Sequence, residues 1–160
     1  METIEIRENN INSFFNENWD IILNSNIKII GDLEITGNVK SSWNILVVWS
    51  IKTSWYVDAR NDVEAKWDIL ASGNVSWDNI FAGGFIDVSQ NIVSWDNIVA
   101  WNNILSWRNI VAWENIVSGW KIEASRYIWA RWKILSGWKV EVLEPWWEIE
   151  AGIKIETWEN

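Results

Sequence analysis

A branched apolar residue returns every six positions along most of this chain, and no other feature restricts its fold so tightly. The first run is Ile21, Ile27, Leu33, Val39, Ile45, Ile51, Val57, Val63, Ile69 and Val75. A second starts at Ile80 and passes through Ile86, Ile92, Ile98, Ile104, Ile110 and Ile116 to Val140. Ile149 and Ile155 close the series. Two residues after each comes a second, usually smaller side chain, such as Ala59, Ala71, Ser94, Ala100, Ser106, Ala112 or Ser118. Residues i and i+2 of a strand point to the same side, so each hexad reads as a very short strand with one large and one small inward residue. The position between them varies freely (Lys52, Asp58, Glu64, Val99), as a solvent face permits.

A helix does not accommodate this rhythm, because a period of six drifts around a 3.6-residue turn and makes no stripe. An antiparallel meander needs longer strands and more Asn-Gly or Asp-Gly turns. Three hexads closing into a triangular coil satisfy every inward position. The predicted fold is therefore all-β: a single-stranded parallel β-helix, or β-solenoid, triangular, with about 18 residues per coil. The 23 units from Ile21 to Ile155 make roughly seven coils, a rod ~35 Å long at the spacing of neighbouring strands. The pattern leaves the handedness of the coil open.

Residues 1–18 lie outside the repeat and are expected to form an N-terminal cap, with Phe14 and Phe15 plugging the end of the core. The solenoid domain is expected over 19–158. The step from Val75 to Ile80 is five residues, which predicts a register slip of one; the step from Val140 to Ile149 is nine, which predicts a corner insertion near 143–146, containing Pro145.

Seventeen tryptophans are present, and their placement is more telling than their number. Trp19, Trp43, Trp49, Trp55, Trp67, Trp77, Trp95, Trp101, Trp107, Trp113, Trp120, Trp132, Trp138 and Trp147 all fall at corners. Gly31, Gly37, Gly73, Gly83 and Gly119 occupy the same positions. Corners favour residues that accept tightly bent or left-handed backbone, which Gly and Asn do and Trp resists. Residues 18 apart should stack, and one such corner reads Trp19, Gly37, Trp55, Gly73. An aromatic ladder selected for stacking should not alternate with glycine. Some bacteria read the UGA codon as glycine and others as tryptophan; decoding a gene of the first kind with the rule of the second would produce this pattern. If the tryptophans are real, they are exposed platforms for stacking sugars.

With Trp rewritten as Gly, residues 101–118 become G-N-N-I-L-S-G-R-N-I-V-A-G-E-N-I-V-S. This resembles the hexapeptide repeat of left-handed β-helix acyltransferases, with the large and small positions exchanged. That resemblance implies a histidine-dependent transferase. The N-terminal half, rewritten the same way, reads G-D-L-E-I-T-G-N-V-K-S-S-G-N-I-L-V-V. It is similar to the bactofilins, over about residues 19–158. The resemblance implies a polymer-forming cytoskeletal protein, a β-helix that associates end to end into filaments without nucleotide.

The chemistry-bearing residues are few. There is no His and no Cys, which removes the usual general base, the commonest metal ligand and thiolate chemistry. A net charge of −9 disfavours a phosphate-tracking surface, so no nucleic-acid partner is expected. No P-loop, dinucleotide fingerprint, nucleophile elbow or zinc spacing occurs, so no cofactor, metal or small-molecule substrate is expected. Asp58, Asp62, Glu64, Asp68 and Asp78 are acidic corner or face residues; pairs of them could imitate a glycosidase carboxylate pair or a cation site, but they read as ordinary solvated charges. Asn79, Asn91, Asn97, Asn103, Asn109 and Asn115 each precede an inward Ile, and an 18-residue coil should stack Asn79, Asn97 and Asn115, and likewise Asn91 and Asn109. Val99, Leu105 and Val111 are an unusually apolar outward set and a candidate lateral contact. The expected function is a non-enzymatic scaffold that self-associates into a homo-oligomer or homopolymer. A hexapeptide-type transferase and an adhesive carbohydrate-binding rod are the alternatives. The absence of a leader and of an 18-residue apolar stretch predicts a cytoplasmic location, with association at the membrane periphery left open.

Overall fold

The computed structural model of the chain describes residues 3–7, 9–59, 61–143, 149–152 and 154–157. Its strands form three parallel sheets of nine, eight and seven strands, here called faces A, B and C. From strand Asn26–Ile30 onward the chain visits face A, then C, then B, and returns to A one coil further on. Among the described residues there are seven complete coils counted from that strand, the seventh closed by Ile149–Ala151, and Lys154–Thr157 opens an eighth. The fold is the parallel β-solenoid that the six-residue rhythm predicts.

Each face stacks one large inward residue per coil. On face A these are Ile27, Ile45, Val63, Ile80, Ile98, Ile116, Ile134 and Ile155. On face B the stack includes Ile92, Ile110 and Ile128, and on face C Ile86, Ile104 and Ile122. Ile98, Ile104, Ile110 and Ile116 are all fully buried. Burial of such a side chain stabilises by about 1.5–3 kcal/mol. β-Branched residues suit this half-buried pleated surface, which is why so short a strand holds.

The small inward position carries a polar seam. Ser41, Thr53, Ser94, Ser106, Ser118 and Ser136 are buried. Each hydroxyl donates to a backbone carbonyl 16 residues earlier, at the corner of the coil below: Ser41 to Ser25 at 2.7 Å, Thr53 to Gly37 at 2.5 Å, Ser106 to Gln90 at 2.5 Å and Ser136 to Trp120 at 2.7 Å. Ser94 and Ser118 bond Asp78 and Asn102 in the same way. Several of these hydroxyls also accept an amide N–H two residues on, as Ser106 does from Arg108 at 3.1 Å. A buried hydroxyl is tolerated where it is satisfied, and these tie each corner to its neighbour.

The five-residue step does not slip the register. Strand Val75–Trp77 pairs with Ile92–Ser94, and Ile80 lies between Val63 and Ile98. The missing residue is taken from the corner, which shrinks to Asp78 alone, so that this coil has 17 residues in its turn and the inward alternation is kept. The reason is energetic: a slip would turn every following Ile outward, whereas a tighter corner costs one bend. At the nine-residue step, Ile149 pairs with Ile128, 21 residues back, so pairing resumes in phase. Leu143 is exposed; the rest of the expected insertion, with Pro145, lies outside the described residues, as do Trp147 and 158.

The N-terminal segment adds structure of its own. Strand Thr3–Arg7 pairs with Asn26–Ile30 on face A and buries Ile6. A 3-10 turn follows at Ile11–Phe14, and Phe15 bridges Ile21 in antiparallel sense. Ile4, Ile11, Phe14 and Phe15 pack against the first coil.

Candidate functional site

The outward surface consists of faces, corners and ends. On face A the residue preceding each inward side chain stacks along the axis. Asn44 donates to Asn26 at 3.2 Å, Asn79 to Asp62 at 2.9 Å, Asn97 to Asn79 at 3.1 Å and Asn115 to Asn97 at 2.9 Å. The Asp62 amide closes the gap to Asn44 at 3.0 Å. Face B carries a second ladder, in which Asn38 donates to Asp20 at 2.8 Å, Asn91 to Asn74 at 2.9 Å and Asn109 to Asn91 at 2.8 Å. Asn103 lies on face C between Phe85 and Lys121 and belongs to neither ladder; its Oδ1 is buried without a hydrogen-bond partner. Asp20, Asn26, Asn38, Asn44 and Asn74 extend the ladders beyond the residues singled out from the sequence, and Asp62, named there only for its charge, joins the face A ladder. Their 18-residue spacing was the signal, hidden where Asp or Tyr replaces Asn.

Val99, Leu105 and Val111 do not form one patch. They point outward from strands on faces A, C and B respectively, because successive hexads of a triangular coil occupy successive faces. The longest contiguous apolar column among the described residues is on face A: Phe81, Val99, Val117 and Leu135, one per coil; face B carries a shorter one, Val93, Val111 and Trp129. Glu64 adjoins Phe81 at one end and Glu156 adjoins Leu135 at the other.

Two carboxyl groups depart from ordinary behaviour in opposite senses. The Asn38 amide bonds Asp20 at 2.7 Å and, with Asn16 and the Asn38 side chain, holds its pKa below the usual value against the effect of burial. At the contracted corner, burial and then the nearby charges of Asp96 and Asp62 push Asp78 up. Burial also pushes Asp87 up. Asp87 lines a groove of about 500 Å³ across face C, walled by Phe15, Trp19 and Trp107. Among the described residues, no group of three or more acidic side chains is placed to hold a metal ion.

At the corners, glycine is used where the backbone of successive coils nearly touches. A Cβ on Gly37 would lie 2.0 Å from the carbonyl oxygen of Trp19, and one on Gly119 would lie 2.0 Å from that of Trp101. The two ends differ. Near the N-terminus, Ile11, Phe14 and Phe15 cover the core. Toward the C-terminus, Val140, Val142, Ile149 and Ala151 are only partly buried, and Ile155 is 46% exposed although Ile134, its neighbour in the same stack, is 0% exposed. Among the described residues, no strand pairs with the outer edges of Lys139–Val142, Ile149–Ala151 or Lys154–Thr157.

Comparison with protein-family models, with curated proteins and with solved structures finds no match for this chain. Its class, a parallel β-solenoid of the general architecture that bactofilins have, rests on the coil geometry. That fold is consistent with a rigid structural scaffold. No helix among the described residues is long and apolar enough to cross a membrane.

Proposed function

We propose that this chain is a bactofilin-like cytoplasmic scaffold that self-associates end to end, without enzymatic activity. The observation that carries the reading is in the terminal coil: Ile155 stands in the inward column of face A yet is nearly half exposed. Among the described residues, no strand pairs with the outer edge of any of the three last strands. Such an edge recruits another chain unless something covers it. A second copy that continues the stack covers the apolar end and pairs the edges in one step. Filament growth then needs a contact at the opposite end, where Thr3–Arg7 and Leu33–Ile35 are the outermost strands of faces A and C.

Electron microscopy and sedimentation of the purified chain without nucleotide test this reading. Filaments, or a concentration-dependent series of oligomers, are expected. Ile155→Asp should raise the concentration needed for assembly at least tenfold while leaving the circular dichroism spectrum unchanged. A chain that stays monomeric at every concentration, or assembly indifferent to Ile155→Asp, would overturn the proposal.

A further inference from the structure

We infer that face A is a lateral contact for a second copy of this chain, running antiparallel to the first. This deepens the scaffold reading and rests on it for its biological sense, but it uses a different surface. The outward column of face A reads Glu5, Lys28, Leu46, Glu64, Phe81, Val99, Val117, Leu135 and Glu156. The column beside it includes Asp62, Asn79, Asn97, Asn115, Lys133 and Lys154. Four successive apolar residues thus lie between Glu64 and Glu156, with Asp62 beside the first of these acids and Lys133 two residues before Leu135 on the last apolar strand.

The charges select the orientation of the partner. Place a two-fold axis along the strand of Val99. Val99 then meets Val99 and Phe81 meets Val117 of the other copy. Lys133, two coils toward one end, falls opposite Asp62 and beside Glu64, two coils toward the other end. Packing the rods in parallel would instead set Glu64 against Glu64. Opposite charges across a contact fix its register, and like charges exclude the alternative. Among the described residues neither Glu64 nor Lys133 has an ion-pair partner within its own chain, so both are free to form one with a second. A patch four strands high is smaller than the ~800 Å² per partner of a stable interface, so one pair of patches binds weakly. Copies already joined end to end would bind through many patches at once.

Lys133→Glu and the double exchange Lys133→Glu/Glu64→Lys test this. Wild-type rods should pair side by side in negative stain, with a weak dimer in sedimentation. Lys133→Glu should weaken pairing at least tenfold and leave single rods of unchanged length; the double exchange should restore pairing. Unchanged pairing in Lys133→Glu, or no rescue by the exchange, overturns the inference. Single wild-type rods that still grow end to end also overturn it, while sparing the end-on reading. Dimers that never elongate, yet obey the charge exchange, sustain it and refute end-on assembly.

A separate observation carries a second inference: we propose that the source organism inserts glycine at the corner positions written here as Trp. Gly83, Trp101, Gly119 and Gly137 form one corner column, in which a Cβ on Gly83, Gly119 or Gly137 would approach a carbonyl oxygen to 1.9, 2.0 and 1.9 Å. The column thus excludes even an alanine at most of its levels, yet carries the bulkiest side chain at one. Trp101 and Trp107 are each 70% exposed. Trp19 has φ of 62°, the left-handed region, and is the only such residue besides Gly31 among the described residues. A non-glycine residue there costs roughly 1–2 kcal/mol. Peptide mapping of the protein isolated from its source cells tests this: each such site should be about 129 Da lighter than tryptophan, the difference between an indole side chain and none. Tryptophan masses at Trp19 and Trp101 would overturn it. The face A contact uses no tryptophan and stands under either reading.

Discussion

At the scale of single residues, this rod depends on hydroxyl groups buried at the small inward position and satisfied there by backbone. Ser106 donates to Gln90 of the coil below and accepts from Arg108. Ser106→Ala should destabilise by about 1–3 kcal/mol, the cost of stranding partners at a buried site, read as a lowered midpoint in urea. Asp78 gives the opposite sign. Its folded-state pKa is raised, so the folded chain holds that proton more tightly than the unfolded chain. Its penalty is therefore absent below the ordinary Asp value of about 4 and is established as pH rises through the folded value. Asp78→Asn should raise the melting temperature at pH 7, and the gain should vanish as both proteins are taken below pH ~4. The seam could not be read from the sequence, because each hydroxyl finds its acceptor 16 residues away at a corner. The alternation of Ile with Ala or Ser showed only which side chains turn inward.

At the scale of strands and ladders, neighbours in space lie one coil apart in sequence, and successive hexads lie on different faces. The stacks of Asn79 with Asn97 and Asn115, and of Asn91 with Asn109, follow directly from an 18-residue turn. Val99, Leu105 and Val111 were grouped by sequence, and the triangular coil separates them onto three faces. The contraction at Asp78 obeys spatial neighbours in the same way: a deletion is absorbed by a corner, where few contacts are lost, without disturbing a strand. Within the face A ladder, Asn97 bonds Asn79, Asn115 and Glu114. Asn97→Ala should therefore cost more than the same change at a ladder end such as Asn26, by about 1 kcal/mol in chemical denaturation. In the core, Ile104→Ala should cost about 2–5 kcal/mol by the same measurement, since the stacked coils leave little room for collapse into the cavity.

At the scale of the whole molecule, every coil contacts chiefly the ones above and below it, so the rod is nearly one-dimensional. Removing residues 97–114 deletes one complete turn and joins Asp96 to Asn115 in the phase of the original repeat. That variant should fold cooperatively, with the circular dichroism of the parent and a length reduced by ~4.8 Å in small-angle scattering. Removing a number of residues that is not a whole turn should abolish folding, because every later inward Ile would leave its face.

The hydroxyl seam and the amide ladders both run lengthwise, joining one level to the next, and this sets how the molecule bears load. Pulled from its two termini, it has no single rupture point. It should unwind one level at a time, each event releasing about 60 Å of slack as some eighteen residues straighten. A rod that yields in small equal steps dissipates tension without severing.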